Sequence, residues 1–336
     1  RAAGASEGRV KLAHGSLAAL VEELRGRAEL AMKRDIQLAS RVFKGATQSA
    51  WFPSPKPILN GDDTAALPDG GGYTLFAAEG LRPELVAADP WFAGFCSVMV
   101  NLSDIAAMGG RPWAVVDVLF MGSGENERVL EGMQAASELF GVPVVGGHTA
   151  RVNGPTLLSV AVVGRAQRLI SSHAAKAGQK LLMAVDLRGS FRLAGAFNAA
   201  TTASAQQLRS SLAVLPELAE AGLVGAGKDI SMAGTCGSLA MLLETSGVGA
   251  VLDLERVPAP AEVEPLRWLT AFPSFGYVLS VDESAVASVC ARFDAVGIAC
   301  AAVGTVNDSR RLTLRHAGEE ALYLDLSEHP LTGFGS

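Results

Sequence analysis

Between Tyr73 and Leu326 the chain alternates apolar runs of strand length with stretches of helical period, an order that only layered folds of helix on sheet accommodate. Strands are expected at Tyr73–Ala78, Val115–Phe120, Val142–Val145 and Thr156–Val163, with helices over about Trp91–Met108 and Asn126–Phe140 between them. The polar stretch RAQRLISSHAAKAG (Arg165–Gly178) then interrupts the pattern ahead of a new strand at Lys180–Val185. Beyond it, helices near Gln206–Ala221, Thr235–Thr245, Glu262–Leu269 and Glu283–Val296 alternate with strands at Gly249–Leu254, Tyr277–Val281 and Ile298–Val306, and strands at Leu312–Arg315 and Ala321–Leu326 close the chain. The class is α/β or α+β. At 336 residues the chain holds roughly two domains. We divide it into an N-terminal helical extension (1–40), an N-terminal domain (41–166) and a C-terminal domain (167–336). The extension carries an amphipathic helix, with Ser16 as its cap and Leu17, Leu20, Val21, Leu24 and Ala28 on one face, and Pro53, Pro55 and Pro57 break the chain after it.

A hydrophobic fraction of 49% with 18% charged residues excludes extensive disorder. The formal charge of −6 and the lack of any Lys/Arg block leave a nucleic acid or an anionic membrane without an electrostatic footprint. Pro90–Ser103 and Ser231–Leu243 are the notable apolar runs, and both fall short of the ~20 residues of a membrane span. Cys96, Cys236, Cys290 and Cys300 lack C-x-x-C spacing and read as buried free thiols in a reducing compartment. With no signal-peptide pattern at the start of the sequence, a cytoplasmic location is expected.

The chemistry concentrates in four segments. NGDDTAALPDGGG (Asn60–Gly72) sets Asp62 and Asp63 side by side behind a glycine. Two adjacent carboxylates cannot share a dry core without a cation, so they face water or hold a metal. NLSDIAAMGGRP (Asn101–Pro112) puts Asp104 in a helix rich in small residues ahead of a Gly-Gly turn. VVGGHTARV (Val144–Val152) ends a strand in two glycines, an imidazole and a hydroxyl, and KDISMAG (Lys228–Gly234) puts Asp229 and Ser231 ahead of a helix. Carboxylates beside glycines at element ends are what Mg²⁺-nucleotide sites use, because Mg²⁺ wants oxygen ligands and phosphate wants close backbone approach.

In that order and spacing the four segments resemble the aminoimidazole ribonucleotide (AIR) synthetase superfamily, which includes thiamine-monophosphate kinase, selenophosphate synthetase and a hydrogenase maturation factor. GDDTAAL resembles its GDDAA element, VNLSDIAAMGGRP its small-residue helix, GGHT its GG[DEH][TS] turn and DISMAG its D-x-[ST]-x-G-G element. The resemblance implies an N-terminal domain whose sheet pairs with that of a second subunit into a homodimeric barrel, a C-terminal α/β domain, and Mg·ATP bound between the domains. It implies transfer of the γ-phosphoryl group of ATP to a small-molecule acceptor. Carried over by position, Asp62, Asp63, Glu79, Asp104 and Asp229 would hold Mg²⁺. Gly61, Asn101, Gly146, Gly147, Thr149 and Ser231 would contact the nucleotide, and Asp62, Asp104, His148 and Asp229 would act in catalysis.

The departures restrict the acceptor. Where thiamine-monophosphate kinases show Thr-Asp the chain reads AAEG, which leaves Glu79 as the nearest carboxylate. His148 replaces their Asp, as in selenophosphate synthetases, and Met232 replaces a second Asp. FPSFGYVLS (Phe272–Ser280) has no acid where the kinases have an acidic element. No cysteine precedes Cys96, the nearest Lys-Gly is Lys44-Gly45, and the sequence ends LTGFGS without the cysteine of the maturation factor. The leading expectation is therefore an ATP-dependent phosphotransferase or synthetase outside the named branches. The rivals are a nucleotide-binding protein without chemistry and a divergent thiamine-monophosphate kinase. GLVGAGKD (Gly222–Asp229) imitates a P-loop but has Asp where Ser or Thr must reach Mg²⁺, and it follows a helix. The aromatics Trp51, Phe52, Trp91, Phe92 and Phe95 could stack an adenine or a substrate ring but read as core or interface, with interface placed above ligand contact.

Overall fold

The computed structural model describes residues 7–13, 15–43, 48–51, 58–193 and 195–335. Lys44, Gly45, Phe52, Pro53, Pro55 and Pro57 lie outside the described residues. The chain forms two compact units, one of Arg1–Asp62, Ile170–Thr202 and Leu218–Ser336, the other of Asp63–Leu169 and Ala203–Glu217. The first unit opens with strand β1 (Glu7–Arg9) and helices α1 (Leu17–Arg25), α2 (Ala28–Arg34) and α3 (Ile36–Val42). The second unit follows with β2 (Ala65–Asp69), β3 (Gly72–Gly80), α4 (Pro83–Ala88), α5 (Pro90–Ala107), β4 (Arg111–Ser123), α6 (Asn126–Phe140), β5 (Val144–Pro155) and β6 (Leu157–Ala166). Then come β7 (Lys180–Val185), β8 (Ser190–Phe191), β9 (Phe197–Asn198), α7 (Ala205–Glu220), β10 (Ala226–Asp229), α8 (Gly234–Ser246), β11 (Gly249–Asp253) and β12 (Pro258–Pro260). The chain closes with α9 (Pro265–Leu269), β13 (Gly276–Val281), α10 (Val286–Asp294), β14 (Ala299–Asn307), β15 (Arg311–His316) and β16 (Glu319–Asp325). Among the described residues no helix is long and apolar enough to cross a membrane.

In the second unit the strands order as β2-β3-β6-β4-β5, antiparallel except for the parallel pair β4–β5. Gly70 and Gly71, both at positive φ, close the β2–β3 hairpin in the two-residue turn that strand twist favours. Helix α5 starts where Asp89 accepts a hydrogen bond from the Phe92 amide at 3.1 Å and Pro90 takes the first helical position, where its missing N–H costs nothing. It packs on one face of the sheet and against α6. A Cβ on Gly94 would lie 1.9 Å from the Val129 carbonyl oxygen and one on Gly132 1.9 Å from that of Trp91, so the two helix backbones nearly touch. Phe92 and Phe95 are buried, with Trp91 stacked on Phe95 at 5.5 Å. The aromatics of this helix are therefore core, one of the two places expected for them, whereas Trp51 of the same expected cluster is exposed and Phe52 lies outside the described residues. The opposite face of the sheet is open: Val115 and Leu119 on β4 are buried, whereas Val116 is 42% and Val118 38% exposed.

In the first unit the sheet runs β10-β13-β7-β14-β11-β15-β16, with β11–β15 its parallel pair. Helix α1 packs on β15 and β16 through the buried Leu17, Leu20, Val21 and Leu24, and Arg25 donates to the carbonyls of Tyr323 and Leu322. Ala28, expected on the same stripe, is exposed at the start of α2 because α1 ends at Arg25. Ser16 does not cap it in the expected way. Its backbone is already helical and its hydroxyl donates back to the Ala13 carbonyl, so no side-chain oxygen reaches the helix amides. Trp268, fully buried, donates its indole N–H to the Pro258 carbonyl at 2.8 Å and packs edge-on to Phe197. The helix expected from Glu262 begins at Pro265, since Glu262 sits at φ +62° and Glu264 accepts from the amides of Leu266 and Arg267 as the cap. Asp229 ends a strand, β10, and Gly222–Asp229 therefore contains a strand of its own. Pairing with β13 imposes it on a sequence of low strand propensity.

Candidate functional site

In the second unit, Asp63 follows the turn at Gly61–Asp62, and Asp104 sits in the last turn of α5, which the sheet and α6 bury. Their carboxylate oxygens come within 4.8 Å of one another, and Asp104 is only 6% exposed. Like charges at that separation repel strongly in a desolvated place unless a cation shares them, and an all-oxygen donor set suits a hard divalent ion. The pair fits Mg²⁺. Asn101, one turn earlier, is fully buried and donates its amide to the Ser97 carbonyl at 2.8 Å, within its own helix.

The GGHT segment lies on β5, an exposed edge strand. Gly147 pairs with Asp117 of β4, and a Cβ on Gly147 would lie 2.3 Å from the Asp117 carboxylate, so this glycine is required by a neighbouring side chain. Gly146 has open space, its nearest neighbour being Val116 Cγ1 at 4.0 Å. Asp117 is 9% exposed, its second carboxylate oxygen has no hydrogen-bond partner among the described residues, and burial pushes its pKa up, with its own backbone amide acting the other way. His148 pairs with Val118, and its ring meets Phe120 edge-on at 6.0 Å, which puts it on the open face of the sheet. The structure thus separates His148 from Asp104, whose helix covers the other face. Thr149 is exposed on the same strand, and Glu79 is exposed near the end of β3, where its carbonyl accepts from Ser159.

In the first unit, Asp62 accepts from the Ser171 hydroxyl and from the Ser172 amide at 2.9 Å. Gly61 sits at φ +103°, a backbone conformation that favours glycine, beneath the Phe334 ring. Asp229 and the neighbouring Lys228 are buried at the end of β10. Ser231 donates its amide to the Ser238 hydroxyl at 2.9 Å, which fixes the turn into α8. Sequence reasoning missed the partners of Asp62, because Ser171 and Ser172 stood there only as part of a polar interruption. It also missed Asp117. A carboxylate at the inward position between Val115 and Leu119 of an expected strand was the available signal.

Comparison with known proteins bears on both units. Residues 61–166 match the family model described as AIR synthase related protein, N-terminal domain, and residues 183–317 the model of the corresponding C-terminal domain. The uncharacterized protein sll0787 of Synechocystis is 46% identical over 318 residues, covering 94% of this chain and 98% of that one. Among solved structures, Thermotoga maritima PurL complexed with ATP has a TM-score of 0.70 at 18% identity, covering 94% of this chain and 54% of that one. AaThiL complexed with AMPPCP and TMP has a TM-score of 0.63 and a HypE–HypF complex one of 0.62, each at 17% identity. The AaThiL match covers 85% of this chain and 93% of that one. The chain spans about half the length of the PurL structures it matches.

Proposed function

The chain belongs to the AIR synthase related family, and from that premise we propose that it binds Mg·ATP and transfers the γ-phosphoryl group to a small-molecule acceptor. The carrying observation is the Asp63–Asp104 pair, two carboxylates held within 4.8 Å. In this reading Asp63 and Asp104 ligate the cation, and Asp229 keeps the metal-binding role that the order of the motifs implies. Asp62 keeps the turn before Asp63 in place through Ser171 and Ser172. When bound, Mg²⁺ neutralises triphosphate charge, so the work of the chain is to position and desolvate. A homodimer is part of the proposal. The open face of the second unit's sheet exposes Phe76, Trp113, Val116, Val118 and Leu157 beside the edge strand β5, and such a face and edge favour association. His148 would then lie in the dimer interface. A cytoplasmic location is part of the same proposal, and four cysteines outside any disulfide suit such a reducing compartment.

Calorimetry of ATP and a non-hydrolysable analogue, with and without Mg²⁺, tests the reading on wild type and Asp104→Asn. Mg²⁺-dependent binding that the variant loses supports it; binding indifferent to both removes it. A second reading, nucleotide binding without chemistry, is favoured by Phe272–Ser280. This segment replaces the acidic element of the kinases, and its residues from Gly276 form the core strand β13. It expects saturable ATP binding and no phosphate release with any metabolite pool. Failure to form thiamine diphosphate in a direct assay removes the kinase alternative.

A further inference from the structure

Three consecutive residues at the end of α8 hold both flanks of the turn that carries Gly61 and Asp62. Thr245 and Ser246 each donate a hydroxyl to the Ser172 carbonyl, at 2.7 and 2.6 Å, and Ser172 in turn gives its amide to Asp62. Glu244, 3% exposed, binds the C-terminal segment. One of its oxygens accepts from the amides of Leu331 (2.9 Å) and Gly333 (3.1 Å), and the other from the amide (2.8 Å) and hydroxyl (2.7 Å) of Thr332. A buried carboxylate with four donors is fully satisfied, and removing its charge leaves those donors short of a partner. From α3, Gln37 donates to the carbonyls of Pro330 and Leu331, and Gly333 passes so close to Ser40 that a Cβ would meet its hydroxyl at 2.6 Å. The segment so held delivers Phe334 onto Gly61, where a Cβ would lie 2.6 Å from Phe334 Cβ. Asn60 is fixed as well, donating to the Phe43 carbonyl at 2.8 Å.

We propose that Glu244 and Phe334 are positioning residues. Through them, the segment Leu331–Gly335 clamps the Asn60–Asp62 turn in the conformation from which the chain continues into Asp63. The proposal rests on the Mg·ATP reading for its consequence and on the first unit's own contacts for its geometry. Only glycine fits at position 61, since both its φ and the Phe334 ring exclude a side chain, so the turn and the clamp are shaped to one another. Residues that orient a ligand-bearing segment act on affinity without touching the ligand.

The test uses the full chain as wild type, Phe334→Ala, Phe334→Leu and Glu244→Gln, with two readouts. Hydrogen exchange of the amides at 60–62 is expected to quicken about tenfold in Phe334→Ala and Glu244→Gln, with strands β7 and β13 unchanged and Phe334→Leu close to wild type. The Mg²⁺ concentration that half-saturates binding of a non-hydrolysable ATP analogue is expected to rise about tenfold in the same two variants, with Mg²⁺-free nucleotide affinity unmoved. Wild-type exchange at 60–62 in Phe334→Ala overturns the clamp, and so does an equal quickening across the whole protein, the mark of a merely structural tail. Should Phe334→Ala not fold, Glu244→Gln decides by the same exchange criterion. Absence of Mg²⁺-dependent binding in wild type would strike the functional reading alone, and the exchange readout would still decide the clamp.

Discussion

Asp104 reaches the proposed metal site from a helix whose other residues are buried for packing, so its carboxylate is presented on a rigid support. We expect Mg²⁺ with an ATP analogue to raise the melting temperature of wild type and not that of Asp104→Asn, because a ligand stabilises only the state that binds it. Thermal denaturation with and without Mg²⁺ checks this, and an equal shift in both proteins would count against Asp104 as a ligand. Asp117 carries a different prediction. Its pKa is raised in the fold by burial, so the folded state binds more protons than the unfolded state between the two pKa values. Stability from this group is therefore greatest below the unfolded value and declines as pH rises through the folded one. Asp117→Asn should remove that decline, and denaturant melts of both proteins between about pH 4 and 7 measure it. The adjacent Asp62 and Asp63 were legible as a functional pair in the sequence. Their division of labour was not, because Ser171 and Ser172 are more than a hundred residues away and no local pattern joins them.

Among the elements, α6 has the ends that its sequence implies. Its apolar period runs from Asn126 to Phe140, and Gly141 at φ +73° ends it in a left-handed cap. The contact of α6 with α5 was not legible, since a glycine inside a helical pattern reads as a weakness until the neighbouring backbone is seen against it. Gly94→Ala or Gly132→Ala should cost roughly 1–3 kcal/mol or more in urea denaturation, because each new methyl would overlap a carbonyl that cannot yield. A loss under about 0.5 kcal/mol would show that the helices can separate cheaply. The thiol of Cys300 on β14 lowers the pKa of Cys290 on α10 and its own is raised by Cys290 and by burial, whereas burial pushes Cys236 up to about 12. Brief iodoacetamide treatment near neutral pH should therefore label Cys290 first and Cys236 last, as read by peptide mass spectrometry.

At the scale of the molecule, the open sheet face predicts association. Val118→Arg, placed among the exposed apolar residues of β4, should convert a dimer into a monomer by light scattering, and a monomeric wild type at micromolar concentration would remove the dimer. The sequence by itself determined the mixed α/β class, most strands and helices, and the family, because periodicity, glycine turns and the four ordered motifs are local signals that survive without a partner. Tertiary structure decided the rest. It drew Asp63 to within 4.8 Å of Asp104, made a strand of Ala226–Asp229, set Asp117 over Gly147 and brought Phe334 down on Gly61. Each of these joins residues through packing or sheet pairing across a long stretch of chain, and such contacts depend on where the intervening elements fold, which no short window of sequence contains.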